Sequence, residues 1–130
     1  KGSNAPALFA MPDIDGGQTH WAPNTDVFTT EDGLVAKLEL AGMRPEDLEL
    51  IIEGNRLIIA GERSDSSRRP GIKYLVMEIR YGSFECVLDV PAGYDLGQAR
   101  AVYQNGFLRV DVPLAVKPLT KTYVPVSELH

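Results

Sequence analysis

Cysteine is nearly absent from this chain: Cys86 is the only one in 130 residues. A single thiol excludes an internal disulfide and a thiolate-built metal cluster, and it suits a reducing compartment, here taken as the cytoplasm. Histidine is almost as scarce. His20 precedes the first strand and His130 ends the chain; neither has a nearby nucleophile or a metal-ligand spacing, and both read as solvent-exposed. Positive charge is also short, with 13 Lys and Arg against 18 Asp and Glu and a net charge of −5, whereas a nucleic-acid binder shows a basic face. The one basic cluster, Arg68, Arg69 and Lys73, falls in a Ser/Asp/Gly/Pro-rich stretch and reads as a solvated loop. No run of about 18 apolar residues is available to span a membrane. The 12 glycines are scattered at turns and form no phosphate-binding loop, so neither ATP nor any other cofactor is expected. No segment keeps a helical period over about 11 residues.

What the chain does have is alternation. Hydrophobic residues make up 44% and charged residues 24%, ordinary values for a globular domain. Leu34, Ala36, Leu38 and Leu40 alternate with Val35, Lys37 and Glu39, the pattern of a strand with one buried face. Leu48, Leu50 and Ile52 alternate with Glu49, Ile51 and Glu53. Gly54-Asn55 is a hairpin turn, and residues 56–61 return as a strand with Leu57 and Ile59 on one side. Residues 64–71 have loop composition, and Tyr74, Leu75, Val76 and Met77 form a short apolar strand standing alone behind that loop. Phe84, Cys86, Leu88 and Val90 alternate again before Pro91. About eight short strands with punctuated turns predict an all-β fold, an antiparallel immunoglobulin-like β-sandwich of about 7–9 strands. The organisation expected is an irregular N-terminal arm over residues 1–20, with a weak apolar patch at Ala7, Leu8, Phe9 and Met11. The domain follows over 21–113, and a Pro- and Lys-containing extension over 114–130. No signal peptide is visible, and the start Lys1-Gly2-Ser3-Asn4 lacks an initiator methionine, so the arm is expected to be truncated.

The most specific motif is the stretch from Ala101 to Pro113. Asn105-Gly106 is the preferred pair for a two-residue type I′ turn, because both positions need positive φ. Leu108, Val110 and Val112 then share one side, with Arg109 and Asp111 on the other, and Pro113 lacks the donor that would continue a ladder. With Ala101, Asn105, Gly106 and Leu108 in place, this hairpin resembles the A-x-x-x-N-G-V-L signature of the small heat-shock proteins (the alpha-crystallin domain), Phe107 replacing the usual Val. Three further pieces fit in order and spacing. Residues 41–48 (Ala-Gly-Met-Arg-Pro-Glu-Asp-Leu) are similar to the family's "PG-x-x-x-E-D-L" corner. Tyr81-Gly82-Ser83-Phe84, ahead of Val90-Pro91, matches "YGSF…LP". Val124-Pro125-Val126 fits the I/V-x-I/V tail motif. The resemblance covers roughly Trp21 to Pro113. It departs at Cys86 and Asp89, where many relatives carry arginines that often lie at dimer contacts.

The resemblance implies an ATP-independent holdase, a chaperone that binds unfolding client proteins and prevents their aggregation under stress, and no enzyme. The acidic pairs Glu31/Asp32 and Glu46/Asp47 sit at turns and read as turn formers rather than a catalytic dyad, and Cys86 reads as a buried, inert thiol. Three binding surfaces are expected. Leu48, Leu50, Ile52 and Val102 make an apolar edge groove, unless they simply point into the core. Val124, Pro125 and Val126 form an extended docking motif suited to strand addition on a neighbouring subunit, unless the tail is merely disordered. Tyr74, Leu75, Val76 and Met77 form a strand exchanged with a partner to give a homodimer, as in bacterial and plant relatives, unless it is an ordinary internal strand. Partners are therefore unfolded clients and further copies of this chain, building higher oligomers through the tail; nucleic acid and membranes are not expected. Two alternatives remain. One is a monomeric co-chaperone that docks on an ATP-driven chaperone and needs neither tail motif nor exchangeable strand. The other is a carbohydrate-binding sandwich, which would expose several aromatics on one face, whereas Trp21 is the single tryptophan.

Overall fold

Strand-period alternation sorts this chain into two antiparallel sheets in a computed structural model that describes residues 9–10, 21–116 and 123–129. Eight strands run β1 Phe9–Ala10, β2 Thr25–Thr29, β3 Gly33–Glu39, β4 Leu48–Glu53, β5 Arg56–Arg63, β6 Gly82–Asp89, β7 Arg100–Gln104 and β8 Phe107–Pro113. One sheet has the order β1-β6-β5-β4 and the other β2-β3-β8-β7. This is the antiparallel sandwich that the alternation predicts. No α-helix occurs among the described residues. Of the N-terminal apolar patch at Ala7, Leu8, Phe9 and Met11, only the backbone of Phe9 is described, and His20 and His130 lie outside the described residues.

Residues directly opposite each other in an antiparallel pair share a face, so the register explains the core. Leu34, Ala36 and Leu38 of β3 oppose Val112, Val110 and Leu108 of β8, while Leu57, Ile59 and Gly61 of β5 oppose Leu88, Cys86 and Phe84 of β6. Apart from Gly61, all of these are buried and form one cluster between the sheets with Leu40, Val90 and Leu96. Trp21 closes one end. Its ring centroid lies 5.2 Å from that of Phe84, its amide donates to the Ser83 carbonyl at 3.1 Å, and its indole N–H donates to the Gly82 carbonyl at 2.9 Å.

The Asn105-Gly106 turn takes the expected geometry, with φ of 54° and 82°. The Gly106 carbonyl accepts from the Leu40 amide at 2.7 Å, which ties the β7–β8 hairpin to the end of β3. Other expectations shift. The strand from Arg56 runs on to Arg63. β7 begins at Arg100, just ahead of the Ala101–Pro113 motif, because Asp95 accepts from the Gly97 amide and winds Leu96–Gln98 into a 3-10 turn. Val35 lies on the outer face by register, opposite Phe28 and Asp111, yet it is only 2% exposed. It sits on an interior strand and lines one surface cavity with Leu114 and Val116 of the segment leaving β8. Pairing also continues beyond Pro113, with Leu114 N donating to Asp32 O and Ala115 N to Gly93 O. The Tyr74–Met77 segment is not a strand within its own chain, which is treated below.

Gly61 is the position where the core leaves no room. A Cβ there would lie 2.6 Å from the Asp47 carbonyl oxygen and 2.8 Å from Cε2 of Phe84. Gly61→Ala is expected to cost about 1–3 kcal/mol, the usual penalty for overpacking. Urea denaturation of the purified variant checks this, and a loss below about 0.5 kcal/mol would mean that both the Asp47 backbone and the Phe84 ring move aside freely.

Candidate functional site

β4 is the last strand of its sheet, and its surface follows from that position. Leu50 and Ile52 oppose the buried Ile59 and Leu57, so with Leu48 they point to the core side of the sheet. They are nevertheless 37% and 48% exposed, because the opposite sheet does not close over them. The facing edge is β7. At one end, Ile52 lines a cavity of about 530 Å³ with Leu96 and Gly97, which lead into β7. At the other, the Tyr103 hydroxyl of β7 donates to the Leu40 carbonyl at 2.7 Å and accepts from the Met43 amide at 3.2 Å, on the connection that leads toward β4. The two sheet edges therefore flank one open side of the sandwich.

Val102 stands differently from the expected slot. It opposes Arg109, while its neighbours Ala101 and Tyr103 oppose the buried Val110 and Leu108. Val102, 57% exposed, consequently sits on the solvent side of its sheet, and a ligand reaching both Ile52 and Val102 has to wrap around the β7 edge. The core-side wall of β7 is Ala101 and Tyr103. Alternation alone hides this, because Ala101 and Val102 are both small and apolar and only the register with β8 assigns their faces.

The segment between β5 and β6 carries the densest exposed apolar run. Tyr74, Leu75, Val76 and Met77 are all exposed, Leu75 at 93%, and among the described residues they pair with no strand. One side chain holds the run back. Asp65 accepts from the Tyr74 hydroxyl at 2.6 Å and from the Ser67 amide at 2.9 Å, with Arg68 at 3.8 Å. The tail residues Val124, Pro125 and Val126 adopt no regular structure, and Val124 and Val126 are exposed.

The remaining candidates are structural. Cys86 is buried, and burial pushes its thiol up to about 11, a hydrogen bond to Thr25 pulling the other way. It is therefore not a thiolate nucleophile at neutral pH. Asp47 is hydrogen-bonded by the Arg44 guanidinium and amide, which hold its carboxyl below the usual range; it staples the turn before β4. Asp32 donates its amide to the Thr30 hydroxyl at the β2–β3 turn. Asp89 pairs with Arg56 at 2.9 Å across the β5–β6 ladder, so its carboxylate is used within the subunit. Among the described residues no group of three His, Cys, Asp or Glu side chains could hold a metal ion, and no helix is long and apolar enough to cross a membrane.

Comparison with known proteins gives a consistent result. The sequence profile of the Hsp20/alpha crystallin family matches residues 26–127. The chain is similar to small heat shock protein C2 of Rickettsia felis, 27% identical over 106 residues, covering 82% of this chain and 69% of the other. It is 38% identical over 98 residues to a 19.0 kDa class II heat shock protein of Oryza sativa subsp. japonica, covering 68% of this chain and 54% of that protein. Among solved structures, a small heat-shock protein from Xylella fastidiosa is similar with a TM-score of 0.73 at 26% identity, covering 85% of this chain and 100% of the other. Heat shock protein 16.0 from Schizosaccharomyces pombe is similar with a TM-score of 0.69 at 28% identity, covering 89% and 80%.

The Asp65–Tyr74 contact has a defined pH window. Its hydrogen bond to Tyr74 is the main reason the Asp65 carboxyl lies below its ordinary 3.8, so the carboxylate's contribution is complete above that value and disappears as pH falls through the lowered one. The same bond raises the Tyr74 hydroxyl above its ordinary 10.0, and its contribution disappears as pH rises through the raised value. The Tyr74 ring resonances should therefore stay constant from about pH 5 to 9 and move toward a free tyrosine outside that range. In Asp65→Asn the window should vanish; a variant that keeps the wild-type titration would remove Asp65 as the cause.

Proposed function

The chain belongs to the Hsp20/alpha crystallin family of ATP-independent chaperones, which are not enzymes, and we propose how this molecule performs that role. It acts as a holdase: apolar surface exposed by an unfolding client is captured on matching apolar surface here, and aggregation is suppressed without turnover. The observation that carries this reading is the amount of apolar side chain left bare on a domain with a complete core. The β4 edge, the 64–81 segment and the tail each expose several large apolar residues, whereas lone exposed apolar residues are ordinary and a contiguous set marks an interaction surface.

Each surface suits a particular partner. Tyr74–Met77, without a strand partner in its own chain, pairs with the sandwich of a second copy and makes a homodimer. Val124 and Val126, two residues apart around Pro125, dock on the apolar edge formed by Leu48, Leu50 and Ile52 of a neighbouring dimer. Full burial of a valine is worth roughly 1.5–3 kcal/mol before ordering costs. One tail is thus a weak, reversible link, and the assembly gains strength by repeating it. Release of a tail uncovers the edge for a client. The Trp21–Pro113 domain with an extension from 114 follows the same division of labour, and the lone buried thiol suits the cytoplasm. No observation favours a co-chaperone or a carbohydrate-binding module.

Two experiments test this. A client heated or reduced without ATP should stay clear in a turbidity assay at near-stoichiometric amounts of this protein, and aggregation at the uninhibited rate would overturn the holdase reading. Val124→Ala with Val126→Ala removes up to roughly 3 kcal/mol per docked tail and should shift the assembly toward dimers. An unchanged mass distribution by size exclusion with light scattering would remove the tail from the assembly.

A further inference from the structure

β5 ends at Arg63, and the chain rejoins the sheet only when β6 opens at Gly82. If so long an excursion is to deliver an apolar segment to a fixed place on another subunit, its base must be held while the segment itself can be released from its one tie to Asp65. Arg63 holds the base. Its Nε and Nη2 donate to the Arg80 carbonyl at 2.9 and 2.6 Å, and its Nη1 donates to the Ala41 carbonyl at 3.1 Å. The guanidinium carbon also lies 4.3 Å from the Trp21 ring centroid and 5.7 Å from that of Tyr81. Trp21 in turn donates to the Gly82 and Ser83 carbonyls. One side chain thereby joins the return point of the excursion, the β3–β4 connection and the segment entering β2. The job needs arginine chemistry: a planar fork with donors in fixed directions that stacks on aromatic faces, which a lysine ammonium does not reproduce.

We propose that Arg63 is a positioning residue for subunit pairing, a clamp that sets the direction in which the 64–81 excursion leaves its own sandwich and so the affinity between two copies of this chain. The inference rests on the reading of Tyr74–Met77 as the exchanged segment. It separates two properties usually lost together. The clamp lies at the mouth of the excursion, while the sandwich is held by the core between the sheets, so loss of the clamp weakens pairing without loosening the β5–β6 ladder.

The test uses the full chain with Arg63→Ala and Arg63→Lys. In Arg63→Ala the dimer dissociation constant, measured by sedimentation, should rise by about tenfold or more. Exchange of the Trp21 amide should accelerate by about tenfold, while the Ile59 and Cys86 amides stay within about twofold. Trp21 is the only tryptophan, so its fluorescence reports loss of the cation above its ring directly. Arg63→Lys keeps the charge but not the fork and should fall between wild type and Arg63→Ala in dimer affinity. The proposal is overturned if both variants dimerise like wild type, or if the Ile59 and Cys86 amides accelerate in step with Trp21 in both. Deletion of Tyr74–Met77, run in parallel, separates the failures. A deletion variant that is still dimeric ends the exchange reading and the pairing role of Arg63 with it, whereas a monomeric deletion variant beside fully dimeric Arg63 variants ends the clamp alone.

Discussion

A sandwich of two open sheets satisfies its core and not its edges, and the rest of this molecule follows from that constraint. Face-to-face packing of β3 and β8 against β5 and β6 buries one side of each sheet, and the central ladders satisfy the backbone there. Nothing in that arrangement satisfies β4 or β7, whose outer backbone groups and core-side apolar residues lie at the boundary of the fold. Natural sheets cover, charge or shorten such edges to avoid indiscriminate pairing. Here the β4 edge keeps Leu50 and Ile52 instead of charge on its core side, which is tolerable when the same chain supplies something to cover it.

In the proposed assembly two segments of the chain supply that cover, each to a neighbouring copy. The 64–81 excursion is tethered near its start by Asp65 and at its end by Arg63, with an apolar tip between them. The tail presents two valines around a proline, which limits the conformational freedom lost on docking. In that assembly a client with similar exposed surface competes for the covered edge, and no nucleotide is needed because the exchange is between near-equivalent apolar contacts.

Legibility in the sequence varied with how local the cause was. Asn105-Gly106 could be read directly, since a two-residue turn demands positive φ from those positions and few pairs tolerate it. The core faces of β3, β5, β6 and β8 were equally plain, because period-two alternation is a local pattern. Val35 escaped that pattern: its face was correct, but on an interior strand, between Phe28 and Asp111, it is buried all the same. Tyr74–Met77 had strand composition and lacks a strand partner in its own chain, because composition expresses the wish to pair and not where the partner is. Arg63 carried no signal at all. Its partners lie at least 17 residues away in sequence, and the two that it hydrogen-bonds, at 41 and 80, are backbone carbonyls, which every residue possesses.

By itself, then, the sequence determined the fold class, the positions of most turns, the core faces of β3, β5, β6 and β8 and the family signature, all of which depend on neighbours a few positions apart. Only the tertiary structure decided that Ala101 and Tyr103 rather than Val102 form the core-side wall of β7, that Asp89 is taken up by Arg56, and that one guanidinium fastens the base of the long excursion. Those outcomes depend on register across strands and on contacts between distant segments. A one-residue change in pairing reverses every face, and alternation alone records the two faces without saying which partner lies over each.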